Sequence, residues 1–157
     1  MFDIGDKVSH PMHGAGIIED ITYCDVDNKK KPFYLAKMVC GAMTVLIPCE
    51  MTDAIGVRKI ISTTDAEKLI DSFDEISYDF NDNWSQRYRD NMEKIKSGDL
   101  YRVSEVVKSL FIRDKTKALS TGERKLFNTA KNILFSELML STGKSPAEIE
   151  NRLFGNI

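Results

Sequence analysis

Near residue 61 the apolar residues change their spacing, from every second position to every third or fourth. No single regular element satisfies both periods, so the chain must build two different kinds of structure in sequence. Before the change, "KVSH", "GAGIIEDITYCDV", "PFYLAKMVCG" and "MTVLIP" alternate, carry β-branched and aromatic residues, and are separated by turn residues. The polar stretch "DVDNKKKP" reads as a hairpin tip, and "AMTVLIP" and "PFYLAKMV" as candidate edge strands. Short strands joined this tightly predict a small bent sheet or barrel with a modest core.

After the change the pattern is helical. Val103, Val106, Val107, Leu110 and Phe111 fall on one stripe, and Leu126, Ala130, Ile133, Leu134 and Leu138 on another. Three S/T-x-x-E capping boxes mark helix starts: Thr64 with Glu67, Ser120 with Glu123, and Ser145 with Glu148, the last followed by Pro146 at the first helical position. Asp99 is a further candidate cap. These signals predict helices over 64–73, 83–97, 100–116, 121–141 and 146–154. The expected fold class is α+β: a small β domain over 1–61, then a compact all-helical domain over 62–157.

The chain has 157 residues and a net charge of −2, so total charge points to no polyanionic partner. Its distribution does. Residues 63–83 hold one Lys against seven carboxylates, a net of −6, whereas residues 84–135 hold twelve Lys or Arg against six carboxylates, a net of +6. The acidic stretch is expected to be solvated and the basic one to offer a face to a polyanion. Three cysteines without CxxC spacing suggest reduced, buried thiols in the cytosol. No run of eighteen apolar residues occurs, and the start is neither a signal segment nor a basic transit peptide, so a cytoplasmic protein without membrane contact is expected.

Catalytic and metal constellations are not evident. His10 and His13 are spaced H-x2-H but have no suitably placed further ligands, and they suit turn or rim positions. "GAG" lacks the phosphate-loop pattern and leads into a strand. No metal, cofactor or enzymatic activity is expected.

The single tryptophan, Trp84, stands in "DFNDNWSQRYRDN", at the start of a basic helix. One reading makes it a plug between the two halves, because large aromatics are seldom left exposed. The other makes it a wedge for nucleic acid: few aliphatics flank it, and Arg87, Tyr88 and Arg89 follow within about a turn.

The segments "IGDKVSHPMHGAGIIEDI", "MTVLIP", "IGVRKI", "NWSQRYRDNMEKIKSGD" and "VSEVVKSLFIRDKTKALSTGERKLFNTAKNIL" occur in an order that resembles the bacterial CarD/CdnL transcription regulators. The resemblance covers residues 2–141. The "GDxV…HGxG" opening is shared with the transcription-repair coupling factor; combined with "NWSxRYxxNxEKxxSGD" the match is highly specific. It implies a Tudor-like β domain that binds the β subunit of RNA polymerase. It also implies a helical domain that contacts promoter DNA at the upstream edge of the bubble and stabilises the open complex without choosing promoters by sequence.

On that resemblance Trp84 takes the wedge role and Arg89 lies on DNA, with Arg87 on the same segment. Arg124 and Lys125 are added because they start the "STGERK" helix, whose free amides attract phosphate. Basic residues of the family's β domain help hold polymerase, and the matching positions here are Cys24 and Leu46, which depart from that pattern. Ile47, Pro48 and Arg58 are the further candidates for polymerase contact. A monomer is expected, weakly bound to free DNA and drawn to the nucleoid through polymerase. The alternative is a protein-interaction adaptor that uses the Tudor-like domain and does not touch DNA.

Overall fold

The computed structural model describes residues 1–78 and 81–157. Five antiparallel strands, β1 (Lys7–His10), β2 (Gly14–Val26), β3 (Lys29–Met38), β4 (Thr44–Pro48) and β5 (Arg58–Lys59), form one sheet in the order β4-β3-β2-β1-β5. The sheet is open, with β4 and β5 at its edges. β3, expected as a possible edge, is interior.

The hairpin between β2 and β3 turns on Asp27 and Asn28, both with positive φ, which Asn and Asp tolerate better than most side chains. A register shift between Ile18 and Asp20 resets the alternation of β2. Below it, Val8, Ile18, Tyr34, Ala36, Met38, Ile47 and Val57 close a small core.

A short helix α1 (Thr52–Ile55) follows β4, and five more follow the sheet: α2 (Thr63–Ser72), α3 (Trp84–Lys96), α4 (Leu100–Thr116), α5 (Thr121–Thr142) and α6 (Pro146–Phe154). Their apolar stripes meet in a second core, which includes Leu69, Phe73, Ile95, Val106, Val107, Leu110, Leu134, Leu138 and Ile149. The Ser145–Glu148 box forms in full with Pro146 in the first turn, and Asp99 caps α4 by accepting from the Tyr101 amide at 2.9 Å. At α2 the cap is Ser62, which accepts from the Asp65 amide; the helix therefore starts ahead of the expected Thr64–Glu67 box.

The acidic stretch is only partly solvated. Glu67 pairs with Lys144 at 2.6 Å and Asp71 with Arg152, tying α2 to the C-terminal helix and the link before it. Asp79 of that stretch lies outside the described residues. The three cysteines are free, as expected, but partly exposed rather than buried. No helix among the described residues is long and apolar enough to cross a membrane.

Sheet and helices are joined along α5. Glu137 has no exposed surface, a position that a carboxylate can hold only with strong partners. Arg58 supplies them as a fork, Nη1 to Oε2 at 2.7 Å and Nη2 to Oε1 at 3.0 Å, and the Ile61 amide donates to Oε2 at 2.9 Å. Nearby, the Ala15 amide donates to Ser136 Oγ at 2.8 Å. The backbone can approach this closely because residue 14 is glycine; a Cβ there would lie 2.5 Å from the same Oγ. Arg58 is thus a structural fastener one-third exposed, and not the free surface contact expected of it.

Removing the carboxylate leaves Arg58 and the Ile61 amide unpaired. Glu137→Ala is expected to cost about 3 kcal/mol, the low end for a broken buried pair because Arg58 reaches solvent. The double variant Arg58→Met with Glu137→Leu should recover much of that loss. Urea unfolding of the full chain reads both.

Candidate functional site

Trp84 opens α3. Asn83 caps the helix by accepting from the Gln86 amide at 3.0 Å, which places the indole at the first helical position, away from the core stripe that ends in Ile95. The ring is 46% exposed, large for the sole tryptophan of a chain. It is also held. Nε1–H donates to Ser120 Oγ at 3.1 Å, and one face stacks on Tyr88, one turn along, with centroids 5.2 Å apart and planes 19° apart. Its edge lies against the first turn of α5, where a Cβ at Gly122 would stand 3.5 Å from Cζ2. The plug reading therefore fails: the indole is fixed on one side and open on the other.

Arg87 corrects the sequence expectation most clearly. It is 8% exposed, turned inward rather than onto the basic face. Nε and Nη2 bind both oxygens of Glu123 at 2.8 and 2.9 Å, and Nη1 donates to the Asn81 carbonyl at 2.7 Å. Glu123 was expected to reach back to Ser120 in a capping box; the Ser120 half forms, at 3.2 Å from the Glu123 amide, but the carboxylate is spent on Arg87. The Arg87 hydrogen bonds hold the Glu123 carboxyl below the usual glutamate range against the opposing effect of burial.

Ser120 therefore has two tasks, capping α5 and accepting from Trp84. The ion pair beneath it clamps the starts of α3 and α5 together. Its role could not be read from the sequence, since Arg87 and Glu123 stand 36 positions apart.

The other cations sort differently. Arg89 is exposed and bonds to Gln86 Oε1 at 3.2 Å, not to Glu93. Arg124 forms a fork with Asp114 at 2.7 and 3.0 Å, so its charge is half spent, while Lys125 is exposed. Lys108 is buried and donates to the carbonyls of Asp74 and Ile76, and burial lowers its pKa.

Arg113 and Lys117 are not among the DNA-contact candidates that the sequence singles out. Both line a cleft with Trp84, Ser120 and the buried pair. The usable signal was the short link between α4 and α5, four residues from Lys117 to Ser120, which forces the end of one helix beside the start of the next.

On the sheet, directly paired residues share a face. Asp20–Leu35–Leu46 and Thr22–Phe33–Pro48 form two rows on the outer face, with Cys24 beside Lys31 in the next. Leu46 is 48% exposed, and Cys24 and Pro48 are partly so. The structure thus brings three of the five expected polymerase contacts together. Ile47 points the other way and is 1% exposed, a core residue, because strand neighbours alternate.

His10 and His13 rings stand 4.6 Å apart, and His10 Nδ1 accepts from the Met12 amide. Among the described residues no group of three or more His, Cys, Asp or Glu could hold a metal ion.

The chain is thus an α+β protein, a sheet with apolar rows on its outer face fastened to a helical body that carries a half-open indole. Comparison with known proteins makes this specific. Residues 2–61 match the CarD-like/TRCF RID domain, and residues 68–154 match the CarD C-terminal domain. The Bacillus subtilis (strain 168) protein named "Putative transcription factor YdeB" is 34% identical over 151 residues, covering 96% of this chain and 99% of that one. The chain belongs to the CarD family and is a CarD-like transcription factor.

Trp84 is the sole tryptophan, so selectively excited tryptophan emission reports on this site alone. Glu123 has a depressed folded pKa, so its stabilisation is present above the ordinary glutamate value of about 4.3 and is lost as pH falls through the folded value. The emission should stay constant from pH 7 to about 4.3 and shift only below. In Glu123→Gln that acid transition disappears. Ser120→Ala should shift the emission already at pH 7 and cost about 1 kcal/mol as a lost cap.

Proposed function

We propose that the chain binds the β subunit of RNA polymerase through its sheet and stabilises the open promoter complex by docking Trp84 at the upstream edge of the bubble. The observation that carries this reading is the indole itself, half open to solvent yet fixed by Ser120 and Tyr88. An aromatic held this way offers a stacking platform at little entropic cost, and one base stacked on it is worth about 1–3 kcal/mol. Such a gain exists only where a base is already unstacked, so it favours melted over paired DNA and shifts the balance toward the open state. Arg89 and Lys125, exposed on the same helical body, supply phosphate attraction, and Arg124 does so with its charge partly spent on Asp114.

Polymerase attachment is assigned to the outer face carrying Cys24, Leu46 and Pro48 and to the adjoining β4 edge. β4 lies at one end of the sheet, so its outward backbone groups can pair with a strand of the partner while Leu46 and Leu35 offer apolar contact. The domain boundary near residue 61, the Tudor-like character of the sheet and action as a cytoplasmic monomer belong to the same proposal. Tethering raises the local concentration of the helical body at the promoter, which offsets weak affinity for free DNA.

Two single variants separate the halves. Trp84→Ala should leave capture of core polymerase intact and shorten open-complex lifetime on a linear promoter fragment. Leu46→Asp should abolish capture and, with it, any effect on lifetime. Unchanged lifetime with Trp84→Ala, polymerase still bound, would reject the wedge.

A further inference from the structure

The cleft beside Trp84 contains charge that the contacts within the fold do not consume. It is lined by Asp82, Trp84, Arg87, Arg113, Lys117, Ala118, Ser120 and Glu123 and encloses about 290 Å³, far more than the roughly 10–15 Å³ that one water needs. Arg87 and Glu123 neutralise each other at its floor. Asp82, the cleft's other carboxylate, adds only a Coulombic influence on Arg87, so three cations face two carboxylates and the cleft carries a net charge of +1. Arg113 and Lys117 remain. Arg113 is half-buried and Lys117 exposed, and among the described residues neither side chain has a hydrogen-bond or ion-pair partner. Arg113 adds only a Coulombic influence on Glu123.

Both cations come from one place, the end of α4 and the residue after it. The Lys117 amide bonds to the Arg113 carbonyl at 2.8 Å, so their side chains leave adjacent points of the backbone. The indole lines the same cleft, held at Nε1 by Ser120 and stacked against Tyr88 on one face. One aromatic platform and two unpaired cations around a gap of this size match the two ends of a nucleotide: a flat base and an anionic phosphate. A closed duplex cannot fill the gap, because its bases are paired and stacked away from the rim.

Building on the wedge reading above, we infer that this cleft is a subsite for one unpaired nucleotide of a melted strand, with Arg113 and Lys117 gripping its phosphate while its base lies against Trp84. Arg113 is the inner, directional contact, since a guanidinium can bind two phosphate oxygens at once; Lys117 acts as a point charge at the rim. Arg87 is a positioning residue: it holds the floor and gives no charge to the ligand.

The test uses the full chain in open complexes with RNA polymerase, measuring lifetime across a KCl series. Four forms are compared: unaltered protein, Arg113→Ala with Lys117→Ala, Arg113→Lys with Lys117→Arg, and Trp84→Ala. The double alanine form should shorten lifetime and flatten its logarithmic salt dependence by about 0.7, the value for one lost contact to a single-stranded phosphate. Swapping the two basic residues should keep the slope. Trp84→Ala should shorten lifetime with the slope unchanged. If the double alanine form matches unaltered protein in lifetime and slope while Trp84→Ala still shortens lifetime, the nucleotide subsite is overturned and the wedge stands. If Trp84→Ala has no effect either, both fall.

Discussion

Two buried carboxylates on one helix, Glu123 and Glu137, organise everything else in this molecule. Each is almost fully removed from water, and each takes an arginine as a two-pronged partner. Glu123 binds Arg87 at the start of α3, beneath the indole. Glu137 binds Arg58 at the end of the sheet. They are fourteen residues apart on α5, so about 21 Å of continuous helix separates the sheet fastening from the Trp84 seat. A continuous helix of this kind transmits position with little give, because its backbone stays helical without a break between the two points. A sheet anchored on a partner would then fix where the indole stands.

The arrangement also accounts for the uneven fate of the basic residues. A charge split of −6 and +6 along the helical half looks like a single cationic face, yet much of the positive charge is used inside the fold. Arg87 is consumed by Glu123, Lys108 by backbone carbonyls behind α4, and Arg124 in part by Asp114. Among the described residues of 84–135, what is left for a polyanion is a small set: Arg89, Lys96, Arg102, Arg113, Lys117 and Lys125. The affinity available from so few contacts is low, which fits a protein that relies on a second attachment rather than on DNA alone.

Much of this was legible in the sequence because the signals were local. Helix limits followed from caps within three or four residues, and Ser120, Asp99 and Ser145 cap as read. The resemblance motif around Trp84 marked out the candidate site. Errors arose where the deciding partner was distant. Nothing near Arg87 announces Glu123, and nothing near Arg58 announces Glu137, 79 residues on. Ile47 failed for another reason: alternation in "TVLIP" separates residues 45 and 47 from 46 and 48, but only the assembled sheet shows which pair faces the core.

On the proposed function, Trp84 meets an unpaired base at the upstream bubble edge. Photocrosslinking from a benzoylphenylalanine at position 84, in open complexes of polymerase and the full chain, tests it most directly. Crosslinks confined to bases at the upstream edge, and absent from closed complexes, are the expected result. Crosslinks spread evenly along duplex DNA, or reaching only protein while polymerase remains bound, would contradict it.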